Sequence, residues 1–347
     1  MRILLSIVAI ACAVTPAAVA AEVDRKAIAE AAVSSHILPA YETFSGAATN
    51  LVGPAQACNA EELRVSYHTA FDAWMGVQHI AMGPVEGDMQ RFAIAFWPDT
   101  KGFVKKGVDR LIKAKDPVVD DAVAFAKVSV AARGLTALER LLYDVEGEVG
   151  FDREDGAYRC RLAQAIARDL ATTAQSVIDG WRGETGHAKT LLTAGAPGNA
   201  IYLKPQDAVR DLFKSLDGGV QAAMELRLGR PLGTFEKPRP KRAETWRSNR
   251  TMRNVRISIV SLQDFYETVF AQSLEPDARE KVSSDFARAI ELAERAPDAI
   301  DKAVTDPAQR FKVESLHTQL RELQKSLRLV LAPSIGVTIG FNSLDGD

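Results

Sequence analysis

Apolar positions recur at three- and four-residue steps along nearly the whole chain, the period of a helix with one buried face. Val33, Ile37, Tyr41 and Phe44 form one stripe, in a segment that Pro39 is expected to kink. Leu63, Tyr67, Phe71, Trp74 and Gln78 form a second. The spacing predicts a third helix over 118–143, where Leu135, Leu138 and Leu142 face one way, and a fourth over 158–181. Gly195-Ala196-Pro197-Gly198 then interrupts the pattern. It resumes over 205–228, 248–271, 277–296 and 308–331. In the last of these Val313, Leu316, Leu320, Leu323 and Leu327 stay in register behind an Asp306-Pro307 cap. Long helices divided by a Gly/Pro break predict an all-α chain of two four-helix bundles, over 21–198 and 199–347. Three stretches fall outside the helices: 83–102, the Pro-, Gly- and Arg/Lys-rich 229–247, and the tail after Pro333. The tail is expected to dock on the bundles, because its backbone groups need partners.

The first residues set the compartment. Arg2, an apolar run over 3–14 and Ala18-Val19-Ala20 are the parts of a secretory signal, predicted to be removed after Ala20. The alternative is a lipid anchor on Cys12. No later run is long and apolar enough to cross a bilayer. The mature chain is therefore expected to be exported and periplasmic, with no transmembrane segment. With 43 Lys and Arg against 45 Asp and Glu, the balance argues against a polyanion binder, and no nucleic-acid partner is expected. Cys58 and Cys160 remain after cleavage. In an oxidising compartment they read as one disulfide, with two separate buried thiols as the alternative.

Chemistry concentrates in the third segment, where residues 133–143 read Arg-Gly-Leu-Thr-Ala-Leu-Glu-Arg-Leu-Leu-Tyr. Thr136 and Glu139, three apart, share a helix face. Other blocks stand out in order: Phe71-x-x-Trp74, Gln78-His79, Gly83-Pro84, Trp97-Pro98-Asp99, Trp246-Arg247-Ser248 through Arg253-Asn254, and the ending Phe-Asn-Ser-Leu-Asp-Gly-Asp. Together they resemble the imelysin-like proteins of bacterial envelopes, whose pattern is Gly-x-His-x-x-Glu followed by an apolar pair. Gly134, Glu139, Leu141 and Leu142 match it, and Thr136 stands at the histidine position. The resemblance implies an all-α fold of two bundles. It also implies a tie to the uptake of iron or another metal, or a metal-dependent peptidase activity.

Glu139 is a carboxylate on a leucine-rich helix, so it is either ion-paired, to Arg140 or an arginine of the second bundle, or it contacts ligand. His79 either supplies a metal nitrogen beside Glu139 or caps carbonyls at a helix end. Asp99, Asp345 and Asp347 are oxygen donors in irregular segments, or turn and capping residues. Arg247, Ser248 and Arg250 fall where a helix should begin, a setting suited to anions, or they pair with Glu139 or the acidic tail. Arg239, Lys241 and Arg242 read as a solvated loop, and the basic run 101–115 as an exposed face. Trp74 and Trp97 read as packing residues.

The sequence shows no Gly-rich phosphate loop, nucleophile elbow or paired-histidine zinc motif. The leading expectation is a binding protein that captures a metal ion, divalent or ferric, or a small anionic ligand between the bundles. Thr136, Glu139, Trp97 and Asp99 would line one wall, with Arg247, Ser248 and Arg250 on the other. An envelope transport protein would receive the ligand. Competing expectations are a peptidase of the imelysin type and an interaction scaffold using 229–247.

Overall fold

The computed structural model describes residues 23–143, 151 and 154–338. The expected leader and the tail with Asp345 and Asp347 lie outside the described residues. Among the described residues the regular structure is helical, with no strand, and no helix is long and apolar enough to cross a membrane.

Helix α1 (Arg25–Ala31) starts with the Asp24 carboxylate accepting the Ala27 N–H. It runs through a widened turn, Ala32–Ile37, straight into α2 (Leu38–Thr49). In that turn the Leu38 N–H reaches back five residues to the Val33 carbonyl. Pro39 is the physical reason. Its ring crowds the carbonyl four residues back and it has no N–H, so the ladder closes one residue late just ahead of it.

After the short helix Val52–Gln56 comes α3 (Ala60–Val77), capped by the Asn59 side chain, with Glu61 and Glu62 in its positive first turn. Helix α4 (Phe103–Ala114) turns Val108 and Leu111 inward. The basic run at 101–115 is thus the outer side of an amphipathic helix that the sequence reading left out.

The helix expected over 118–143 is broken. It becomes a tight turn at Pro117–Asp120, a short helix Ala122–Phe125, another turn at Val130–Ala132, and α5 (Gly134–Leu142). Asp116 and Asp121 cap the pieces with their carboxylates. Next come α6 (Gly156–Trp181), a short helix His187–Leu192, and α7 (Pro205–Gln221). A second widened turn, Ala222–Gly229, precedes Pro231. Helices α8 (Thr251–Val269), α9 (Pro276–Arg295) and α10 (Pro307–Ser326) follow, and a third widened turn, Leu327–Leu331, precedes Pro333.

Helices α2, α3, α5 and α6 pack on one another, as do α7, α8, α9 and α10, and α3 lies along α8. The first turns, α1 and 32–37, cross over to pack on α7 and α8. One continuous buried apolar cluster joins all of these, from Ile28 to Val337. Cys58 and Cys160 are joined in a disulfide across a sequence separation of 102, tying the loop after Val52–Gln56 to α6. In the chain-entropy model a closed loop of that size contributes about 4–5 kcal/mol.

Candidate functional site

The site is built on Gly134. Its φ is +66°, and a Cβ there would collide with the carbonyl oxygens of Ala93 and Ile94. Glycine therefore lets α5 begin hard against the chain that leads to Trp97. Every residue of α5 is buried, including Thr136, Glu139 and Arg140. The Thr136 hydroxyl accepts the Phe96 N–H at 3.1 Å, fixing the Phe96-Trp97-Pro98-Asp99 loop over the helix.

Asp99 is a cap. Its two oxygens accept the Phe103 and Val104 N–H groups, each at 2.9 Å, at the start of α4. It borders the cavity, but these bonds direct both oxygens at the helix, in line with the turn reading rather than an open cation donor.

Glu139 is met from the second half of the chain. Its Oε1 accepts the Ser248 N–H at 3.0 Å and the Ser248 hydroxyl at 2.7 Å. Burial pushes the carboxyl pKa up, while the Ser248 bonds and the nearby Arg247 pull it down. Ser248 lies in a tight turn, with Thr245 and Asn249 at positive φ, that ends before α8 begins at Thr251. The expected helix start at 248 is thus a turn that aims a backbone N–H at Glu139.

Beside Glu139 opens a cavity of about 400 Å³. Thr136, Trp97, Trp246 and Arg247 line it, and so do Lys105, Arg140, Arg230, Lys241 and Arg242. The loop 229–247, expected to be solvated, supplies much of this wall. Arg247 lies over the Trp246 ring at 4.5 Å. Arg230 carries a buried Nε with no hydrogen-bond partner. Burial and the charge of Arg242 both lower its pKa.

Ser248 meets Glu139 but is not among the residues lining the cavity, and two expected site residues lie elsewhere. Arg250 does not line the cavity. Its side chain, 1 % exposed, bonds Asp72, His68 and Asn254 and lies over the Phe71 ring. It is a clasp between α8 and α3. His79 does not approach Glu139, because its Nε2 faces the Nε2 of His36 at 3.0 Å. Among the described residues no three or more His, Cys, Asp and Glu converge to hold a metal ion.

Sequence reasoning missed the buried network at the α3–α8 contact. Arg227 and Glu244 form an ion pair at 2.7 Å, each side chain 3 % exposed. Arg227 also donates to Gln78 Oε1 at 3.1 Å, and Asn254 donates to Glu244 at 3.0 Å. Arg227 stands behind Trp97, its guanidinium 5.6 Å from the ring centre. Gln78 and Asn254 both belong to the distinctive blocks. That membership was the available signal, but it carried no indication of partner.

No curated protein sequence matches the chain significantly. Among solved structures it is similar to an imelysin-like protein from Psychrobacter arcticum 273-4. The TM-score is 0.76 at 18 % identity, covering 91 % of this chain and 97 % of that one. It is also similar to a candidate iron-regulated protein A precursor from Parabacteroides distasonis ATCC 8503. There the TM-score is 0.67 at 12 % identity, covering 87 % and 95 %. Identities this low speak to the fold alone. The family model described as Imelysin matches residues 35–327, so the chain belongs to the imelysin family.

Proposed function

We propose that the protein is an exported, periplasmic binding protein that takes a small anionic ligand in the cavity between its two helical halves. We divide these halves at 198/199. One observation carries the reading: Arg230 and Arg242 share the cavity wall, and the buried Nε of Arg230 has no hydrogen-bond partner. A buried guanidinium donor without an acceptor is costly, and an incoming oxyanion supplies the acceptor. Lys105, Lys241 and Arg247 add positive potential to the same space, so a bare cation is repelled where an anion is drawn in. The Trp97 and Trp246 rings, each with an arginine over it, offer flat walls to a ligand body.

The positive lining favours an anionic ligand over the free ion that the sequence suggested, and a structural neighbour named for iron regulation makes a ferric complex the first such ligand to test. Glu139 then acts as a positioning group, holding the Ser248 turn against the cavity.

Citrate, with and without ferric ion, is the probe, and tryptophan fluorescence with calorimetry is the readout. Saturable binding that weakens with salt is expected, and Arg230→Met should lower affinity about 10- to 100-fold, the worth of a charged hydrogen bond. Binding of ferric or zinc ion alone, lost in Glu139→Ala and indifferent to Arg230→Met, would overturn the anion reading. So would failure of either citrate form to bind.

A further inference from the structure

The cavity accounts for the inner side of the stretch from Phe92 to α4 but not for its outer surface. Phe92, in the short helix Gln90–Ile94, and Phe103, the first residue of α4, are 41 % and 46 % exposed. Phe96 lies between them, its ring centre 6.0 Å from that of Phe92 and 6.4 Å from that of Phe103. Aromatic side chains grouped on a surface lose stability to water unless something covers them. The platform is held in place, because Thr136 takes the Phe96 N–H and Asp99 takes the Phe103 N–H.

Positive charge continues the patch. Phe103, Lys106, Arg110 and Lys113 are spaced three and four apart, so they share the face of α4 opposite the buried Val108 and Leu111. All four are exposed, and the Lys106 ammonium lies 5.7 Å from the Phe103 ring centre. The stripe runs about 15 Å along the helix. Residues 101–115 carry six Lys and Arg against one Asp, in a chain that holds 43 against 45. Acids along this stretch are mostly engaged: Asp109 is held by Lys105 and Arg140, Asp116 caps the next turn, and Glu86 pairs with Arg91. The positive potential is therefore local to this face.

We propose that this face docks the protein on an anionic phospholipid bilayer. Phe92 and Phe103 enter the headgroup boundary, and the α4 cations meet the phosphates. Two observations favour a lipid surface over a protein partner. Five of the six cations are lysines, which protein interfaces avoid but which serve phosphate headgroups as point charges. Helix α4 also turns its own apolar stripe into the protein, so it offers no apolar helix face to a partner. Aromatic insertion and a basic patch are the two weak signals that together hold a protein on a membrane. Phe96 also lines the cavity, so docking sets the cavity close to the bilayer. None of this depends on which ligand the cavity takes.

The test floats the purified chain, without ligand, on vesicles of phosphatidylcholine alone and of phosphatidylcholine mixed with phosphatidylglycerol. Binding to the mixed vesicles only, weakening as salt rises, is expected. One cation near a lipid surface is worth about fivefold in affinity, so Lys106→Gln, Arg110→Gln and Lys113→Gln combined should lower it about 100-fold. Phe92→Ser with Phe103→Ser should lower it about tenfold. The same loss of charge on the exposed side of α10, through Lys312→Gln, Arg321→Gln and Lys325→Gln, should change it little. Circular dichroism and melting check that each variant folds. Binding to neither vesicle, equal binding to both, or equal losses in the α4 and α10 variants overturns the proposal. So does self-association in sedimentation that the double phenylalanine variant abolishes, since a second copy then covers the face. The substituted α4 residues do not line the cavity, so citrate binding should survive in that variant, and the two readings fail separately.

Discussion

At the residue scale, Gly134 shows how a motif position can be set by space alone. The positive φ and the approach of the Ala93 and Ile94 carbonyls forbid a side chain there, whatever binds nearby. Gly134→Ala should destabilise the protein by about 3 kcal/mol or more, as a strained backbone and a steric conflict add. Urea unfolding reads this out, and an unchanged midpoint would refute the close approach. The glycine was visible in the sequence, but its reason was not, because the carbonyls come from a distant loop. Thr136 follows the same logic. It stands one turn from Glu139, yet its hydroxyl holds the Phe96 N–H. Arg250 was recognisable as a strong cation, but nothing local reveals that it turns inward to Asp72 rather than toward Glu139.

At the element scale, helical periodicity located most of the long helices and misplaced one. Residues 118–143 are rich in apolar and helix-forming positions, but Asp116 and Asp121 offer their carboxylates to nearby backbone N–H groups and cut the helix short. Helix α4 was hidden for the opposite reason. Its buried stripe of Val108 and Leu111 is narrow, and three lysines and an arginine break up the rest of the pattern. Asp99 starts that helix by taking two N–H groups. Asp99→Ala should therefore cost about 1 kcal/mol through loss of the cap. A lower melting temperature with little change in far-ultraviolet helicity is the expected record; an unaltered melt would return Asp99 to the list of open oxygen donors.

At the scale of the whole molecule, the α3–α8 contact is fastened by charge. Asp72 bonds both Arg250 and Arg253. Burial alone would raise its pKa, but the Arg253 and Arg250 bonds outweigh it and hold the carboxyl below its usual value. A carboxyl depressed on folding contributes stability above its unfolded pKa and loses it as pH falls through the folded one. Stability should thus drop below about pH 4, and Asp72→Asn should flatten that part of the profile. Acid unfolding monitored by circular dichroism makes the comparison, and an identical slope in the variant would show that the fastening lies elsewhere. The all-α class was legible throughout, because periodicity is a local property. Which charges meet across the fold was not, because pairing depends on contacts between remote segments.

The widened turns ahead of Pro231 and its counterparts shape the molecule as well. Leu212, Leu216, Val220, Met224, Leu228 and Leu232 are all buried, though a four-residue step overshoots a regular helical turn by about 40°. Local unwinding cancels that precession, so a straight rod can keep one greasy edge against its neighbours without supercoiling.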